Sequence, residues 1–145
     1  MRILVDADAC PVKEIIVMTA RRSSIPVIMF ADTSHIINDG YSAVVTVDCH
    51  SDSVDYAIAN SIKRNDIIVT QDHGLAALVM SADNFVINPN GFIYDSSNID
   101  SLLNLRHESS KKRRSGGRTP GPKKRAAEDD EKFEKALIEL IEKAK

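Results

Sequence analysis

Five short apolar runs, separated by segments of helical period, limit what this chain can fold into more than any other feature. The runs are Ile3-Leu4-Val5, Ile25-Pro26-Val27-Ile28-Met29-Phe30, Ala43-Val44-Val45-Thr46-Val47, Ile67-Ile68-Val69-Thr70 and Phe85-Val86-Ile87. Short, bounded by turn signals and rich in β-branched residues, they read as strands. Pro26 stands at the start of its run, where a ladder N–H is least needed. Between the runs, Val12, Ile15, Ile16 and Thr19 or Ala20 recur at helical spacing to about Arg22. Val54, Ala57, Ile58, Ser61 and Ile62 do the same up to Lys63-Arg64-Asn65, with Asp52 or Ser53 placed to cap them. Leu75 to Met80 reads as a short buried helix, Asn88-Pro89-Asn90-Gly91 as a strong turn before Phe92-Ile93-Tyr94, and Asn98 as the cap of a helix to about Leu105. Alternating strands and helices, with strands apolar throughout, predict an α/β fold: a mostly parallel sheet of about five strands with helices on both faces.

That topology says where chemistry belongs. Ligands of open α/β sheets sit beyond the carboxyl ends of the strands, and three predicted strands end in acids: Asp6 and Asp8 after the first, Asp48 after the third, Asp72 after the fourth. Period-two geometry aims Asp6 and Asp8 toward the same side. Two carboxylates held together call for a cation; without one, a raised pKa or hydrogen bonds from amides at the next helix start must relieve their repulsion. Asp66 opens a strand and so lies at the opposite edge, as a capping or solvent-exposed residue.

Length and charge set the remaining bounds. A chain of 145 residues supports one domain with a sizeable core, here residues 1–108. Net charge is −2, but residues 1–110 carry 7 Lys/Arg against 14 Asp/Glu, and residues 111–145 carry 12 against 7. Within residues 109–127, the Gly/Pro/basic mixture that includes Lys111, Lys112, Arg113, Arg114, Arg118, Lys123, Lys124 and Arg125 buries too little apolar area to offset ordering, and reads as a flexible arm. Eight cations and no acid in 111–125 suit phosphate contacts through counterion release, although such a run also serves as a solvated tail. Residues 128–145 become helical again, with Phe133, Leu137, Leu140, Ile141 and Ala144 on one stripe that must dock on the body or on a partner. With 43% hydrophobic residues and no long apolar stretch, the chain is expected to have no membrane span or leader and a cytoplasmic location. Cys10 and Cys49 lack C-x-x-C spacing and read as reduced thiols. Ile16 and Asp55 occupy the sixth positions after them, which excludes the C-x5-R of cysteine phosphatases.

Val5-Asp-Ala-Asp-Ala-Cys-Pro-Val-Lys13, Asp55-Tyr56-Ala57-Ile58, Asp66-Ile67-Ile68-Val69-Thr70-Gln71-Asp72, Leu75-Ala76, Asn88-Pro89-Asn90-Gly91 and Gly116-Gly117-Arg118 together resemble the YaiI/YqxD family of uncharacterised bacterial proteins. That family resembles the PIN-domain nucleases. The resemblance implies a PIN-like three-layer sandwich and an acidic site that binds Mg²⁺ or Mn²⁺ and acts on RNA. Carried residue by residue, Asp6 matches the first-strand acid, Asp55 the mid-chain acid opening a helix, and Asp72 the later one, while Asp8 is the family's own second acid. Glu14 alone is available for the usual early-helix acid. Where the family commonly has an aromatic-Asp pair, this chain has Ser51-Asp52 preceded by Cys49-His50.

Asp6, Asp8, Asp55 and Asp72 suit a hard cation that takes oxygen ligands and keeps several waters. Metal-assisted phosphodiester hydrolysis, a nuclease activity without a protein nucleophile, follows from such a set. The structural alternative has Asp6 and Asp8 capping one helix start, Asp52 or Asp55 another, and Asp72 in an Asx turn. Thr70 is placed to hydrogen-bond an acidic neighbour; His73 is an acid, base or phosphate contact, or simply a loop residue. His35, His50 and His107 read as surface residues, Cys10 as packing under its turn and Lys13 as solvated. Two further functions compete: a non-catalytic RNA- or ribosome-associated binding protein using the arm, and a haloacid-dehalogenase-type phosphatase with Asp6 as nucleophile. The second lacks a downstream Gly-Asp-x-x-x-Asp.

Overall fold

The computed structural model describes residues 1–50, 52–105, 116 and 124–145. Its strands are β1 (Ile3–Asp6), β2 (Val27–Asp32), β3 (Ala43–Val47), β4 (Ile67–Val69), β5 (Phe85–Ile87) and β6 (Ile93–Tyr94). Its helices are α1 (Lys13–Arg22), α2 (Ser53–Ser61), α3 (His73–Val79), α4 (covering the described residues 99–105) and α5 (Ala127–Ala144). The sheet runs in the order β3-β2-β1-β4-β5-β6. All neighbours are parallel except β5 and β6, which pair antiparallel across the Asn88–Gly91 turn. The sixth strand exceeds the expected five because the turn returns Ile93 and Tyr94 directly to β5.

β1 is the centre of the sheet, and its side chains divide the core. Ile3 and Val5 join Val27, Met29, Ile67 and Val69 beneath α1 and α5, whereas Leu4 joins Phe30, Ile68 and Val86 beneath α2, α3 and α4. Strands sandwiched between two helical layers have no polar face, which is why their sequences show no alternation. The chain is therefore an α/β three-layer sandwich. The stripe of α5 docks on the body itself, with Phe133, Leu137, Leu140 and Ile141 at most 2% exposed against β1, β4 and α1. Asp129 accepts the Ala126 N–H at 2.9 Å and so closes the first turn of this helix. Among the described residues no helix is long and apolar enough to cross a membrane.

The β5–β6 turn and α5 are fitted to each other at Gly91. Its φ is +94°, and a Cβ there would lie 2.9 Å from the backbone carbon of Lys132. Gly91→Ala is expected to destabilise the chain by about 2 kcal/mol or more, through left-handed strain and displacement of α5. Denaturant unfolding checks this, and a loss under about 0.5 kcal/mol would refute the close fit.

The opposite edge corrects one expectation. Asp66 is 1% exposed, not solvated. It receives Arg2 through Nε at 3.2 Å and Nη2 at 2.6 Å, and the Lys63 N–H at 2.7 Å. Arg2 also donates to the Ser61 carbonyl at 2.7 Å, tying the end of α2 to the starts of β1 and β4.

Candidate metal centre

At the carboxyl ends of the parallel strands, the two acids of the opening motif take different partners. Asp6, the last residue of β1, leans on the β4 side: Thr70 donates to its Oδ2 at 2.9 Å. Asp8, two residues on, leans on the β2 side, where its Oδ2 accepts the Asp32 N–H at 3.1 Å. His35 Nδ1 lies 3.0 Å from both Asp8 Oδ1 and Asp32 Oδ1. Because β1 lies between β2 and β4, the motif divides its two carboxylates between flanking neighbours.

Asp6 is the focus of the surrounding charge. Burial pushes its carboxyl up to about 6; the Thr70 hydrogen bond opposes this, and repulsion from Asp55, Asp72 and Asp8, in that order, adds to it. Asp55 comes from the first turn of α2 and Asp72 from the N-cap of α3, so β1 and two helices of one layer direct acids at a single carboxyl. Such crowding is what a divalent cation relieves. Thr70 couples two of these acids, since its hydroxyl also accepts the Asp72 N–H at 3.0 Å. Asp72 does cap its helix, its Oδ1 accepting the N–H groups of Gly74 and Leu75 at 2.8 and 3.1 Å. The capping and site readings of Asp72 are therefore compatible. Asp52, by contrast, sits at the N-cap of α2 in a left-handed conformation with no side-chain cap bond.

A hollow of about 310 Å³ opens here, lined by Asp6, Gln71, Asp72 and His73. His73 Nδ1 lies 2.9 Å from the Tyr94 hydroxyl, which also accepts from Asn88 Nδ2 at 2.8 Å. A larger hollow of about 530 Å³, between α1 and the loop after β2, is lined mainly by apolar groups such as Val17, Met18, Ile36 and Ile37. Glu14, exposed on α1, faces that groove. The acids of that groove, Glu14 and Asp39, are not among those that bear on Asp6.

Among the described residues, the group of three metal-ligating side chains whose donor atoms all fall within 4.8 Å of one another is Asp8, Asp32 and His35. In the sequence His35 reads as a surface residue, and Asp32 carries no assigned role. The only signal available was that Asp32 stands two residues after the apolar run ending at Phe30, another acid at the end of a strand. Hydrogen bonds from Ser34 and then His35 hold the Asp32 carboxyl down to about 2, so it is ionised at neutral pH. Asp48 and His50 are exposed, and Cys49 Sγ meets Thr33 Oγ1 at 2.8 Å. Cys10 is buried, and that burial pushes its thiol up, which fits packing better than reactivity.

Of the arm's cations, Lys111, Lys112, Arg113, Arg114, Arg118 and Lys123 lie outside the described residues, and Lys124 is exposed. Arg125 has a structural role. It meets Asp130 at 2.6 Å, the Pro89 carbonyl at 2.8 Å and Asn90 Oδ1 at 3.2 Å, fastening the start of α5 to the turn after β5. That turn follows the carboxyl end of β5, so the described end of the arm is anchored at the same sheet edge as the acids.

A family model described as "Uncharacterized BCR, YaiI/YqxD family" matches residues 4–143, from β1 to the end of α5. The chain is 56% identical to a UPF0178 protein of Ruminiclostridium cellulolyticum over 141 residues, covering 97% of this chain and 92% of that one. It is 51% identical to a UPF0178 protein of Clostridium kluyveri, covering 97% and 93%, and 50% identical to one of Clostridium tetani, covering 100% and 99%. No solved structure gives a significant match.

Proposed function

This chain belongs to the uncharacterised YaiI/YqxD family, and we propose that it is a PIN-like, Mg²⁺- or Mn²⁺-dependent ribonuclease that hydrolyses RNA phosphodiester bonds at the Asp6 edge of its sheet. The observation that carries this reading is the Asp6 carboxyl, partly buried, pushed up to about 6 and repelled by Asp55, Asp72 and Asp8. Asp55 and Asp72, and more weakly Asp8, repel the Asp6 carboxyl at this edge, and an oxygen-seeking divalent cation would relieve that repulsion. Asp6, Asp55, Asp72 and Asp8 would hold that cation, which when bound supplies Lewis acidity and a hydroxide near neutral pH. The chain's own groups position these ligands: Thr70 orients Asp6 by donating to it and fixes the Asp72 backbone by accepting from it. Since residues 1–110 carry 7 Lys/Arg against 14 Asp/Glu, RNA approach needs the basic residues of 111–124 to offset repulsion.

The test is incubation of the purified chain with labelled single-stranded RNA and Mn²⁺ or Mg²⁺, alongside calorimetric metal titration. Cleavage is expected only with metal and is expected to be lost in Asp72→Asn. Replacing Lys111, Lys112, Arg113 and Arg114 by serine is expected to weaken RNA binding and flatten its salt dependence. RNA bound but uncut at every metal concentration would instead establish the binding-protein reading. Absence of both metal binding and RNA binding would overturn both.

A further inference from the structure

The two edges of the sheet are guarded differently. β6 closes one edge with only Ile93 and Tyr94, a length that leaves another chain little to pair with. β3 closes the other with Ala43-Val44-Val45-Thr46-Val47. This strand holds no proline and no charge, and its register with β2 runs unbroken from Ala43 beside Ile28 to Val47 beside Asp32, so no bulge turns the edge away. Its outer row of main-chain donors and acceptors is left for water or for another strand. Among the described residues, Ala43 to Thr46 are exposed, Val44 at 39% and Val45 at 38%. Val44 aligns with Met29, on the face beneath α1 and α5, and Val45 with Phe30, on the face beneath α2, so one edge presents apolar groups on both faces. Tyr56 of α2, which packs beside β3, is exposed as well.

We propose that this edge joins two copies of the chain, their β3 strands pairing antiparallel across a two-fold axis perpendicular to the sheet, so that the six-stranded sheet continues into its copy. The strand itself selects the occupant. Such an axis keeps the two faces in register, and only when it passes at Val45 do all five residues find a partner: Val45 opposes itself, Val44 opposes Thr46 and Ala43 opposes Val47. These are pairs of β-branched or small groups, which suit a ladder. The two ends are also complementary in charge. At the amino end the Arg21 guanidinium lies 5.2 Å from the Tyr41 ring centroid and donates to the Asp39 carbonyl at 3.1 Å. The Asp39 carboxylate beside it accepts the Tyr41 and Ser42 N–H groups at 2.8 and 2.7 Å. The carboxyl end leads into exposed Asp48, and antiparallel pairing brings that aspartate to the arginine end of the other copy. A strand already held by β2 loses little further freedom on pairing, unlike a free peptide. The acidic edges of the two copies then point in opposite directions, and the pairing does not depend on the ribonuclease reading.

Sedimentation equilibrium of the full chain across the micromolar range tests this, with twice the mass of one chain as the expected result. Val45→Lys sets two ammonium groups opposite each other at the axis, and Val45→Glu two carboxylates. Each variant alone is expected to self-associate at least about tenfold more weakly than the parent, and an equimolar mixture of the two to recover the double mass. A parent that stays monomeric, a Val45→Lys chain that still dimerises, or a mixture no heavier than its components overturns the proposal. Deuterium exchange of the parent gives a reading that needs no variant. Amides on the outer side of β3 are expected to exchange more slowly in concentrated than in dilute protein, and equal rates at both concentrations overturn the pairing.

Discussion

Asp6→Asn is expected to lower metal-dependent RNA cleavage by at least about a hundredfold while making the metal-free protein more stable. The two effects have one cause. The Asp6 carboxyl is raised from an ordinary value of 3.8 to about 6, first by burial and then by its acidic neighbours. Because the folded pKa lies above the unfolded one, the folded chain holds this proton more tightly between about pH 4 and 6. Ionised Asp6 therefore opposes folding above about pH 6, and the opposition fades as pH falls toward about 4. The shift corresponds to about 3 kcal/mol at neutral pH, of which asparagine should recover about 2, since its amide oxygen still accepts from Thr70. Thermal unfolding of chelator-treated protein at pH 7 and pH 4.5 checks this. A variant no more stable than the parent at pH 7 would show that the Asp6 repulsion is relieved without a cation. A variant still fully active would remove Asp6 from the metal site.

Arg2→Ala is expected to cost about 3–5 kcal/mol, lowering the melting temperature by about 10 °C. Asp66 is 1% exposed, and the substitution leaves its carboxylate with the Lys63 N–H alone among the partners described above. Removing one member of a buried pair strands the other charge, which is far more costly than loss of an exposed pair. Arg2 is also the donor to the Ser61 carbonyl, so the end of α2 should loosen with it. Equilibrium denaturation of Arg2→Ala with Arg2→Ala/Asp66→Asn separates the contributions, the double variant being expected to recover part of the loss. A single-variant cost below about 1 kcal/mol would mean that Asp66 is solvated after all.

These residues also mark how far the sequence can be read. The strands Ile3–Asp6, Val27–Asp32 and Ile67–Val69 were legible because strands buried on both faces leave unbroken apolar runs. The stripe of α5 was legible for the complementary reason, although its docking site was not: periodicity identifies an apolar face but not what covers it. Asp66 shows the opposite failure. An aspartate before a strand reads as a cap or a solvated residue, and only the arrival of Arg2, 64 residues away, makes its burial tolerable.

The acidic edge was partly legible in the same way. Strand-then-acid placed Asp6, Asp8, Asp48 and Asp72 at one edge, and the family resemblance added Asp55. Nothing local indicated that Asp8 would turn to Asp32 and His35 while Asp6 turned to Thr70. Nor did Asn88-Pro89-Asn90-Gly91 reveal more than a turn, although Asn88 also holds Tyr94 against His73.

By itself, then, the sequence determined the α/β class, the parallel sheet and the edge on which the acids stand, because hydrophobic period and strand polarity are properties of short segments. Only the tertiary structure decided which carboxylates share a field, which aspartate is buried against an arginine, and which cation of the arm is fastened at Pro89 and Asp130. Those outcomes depend on distances between segments far apart in the chain. Such distances are set by the order in which the strands assemble around β1.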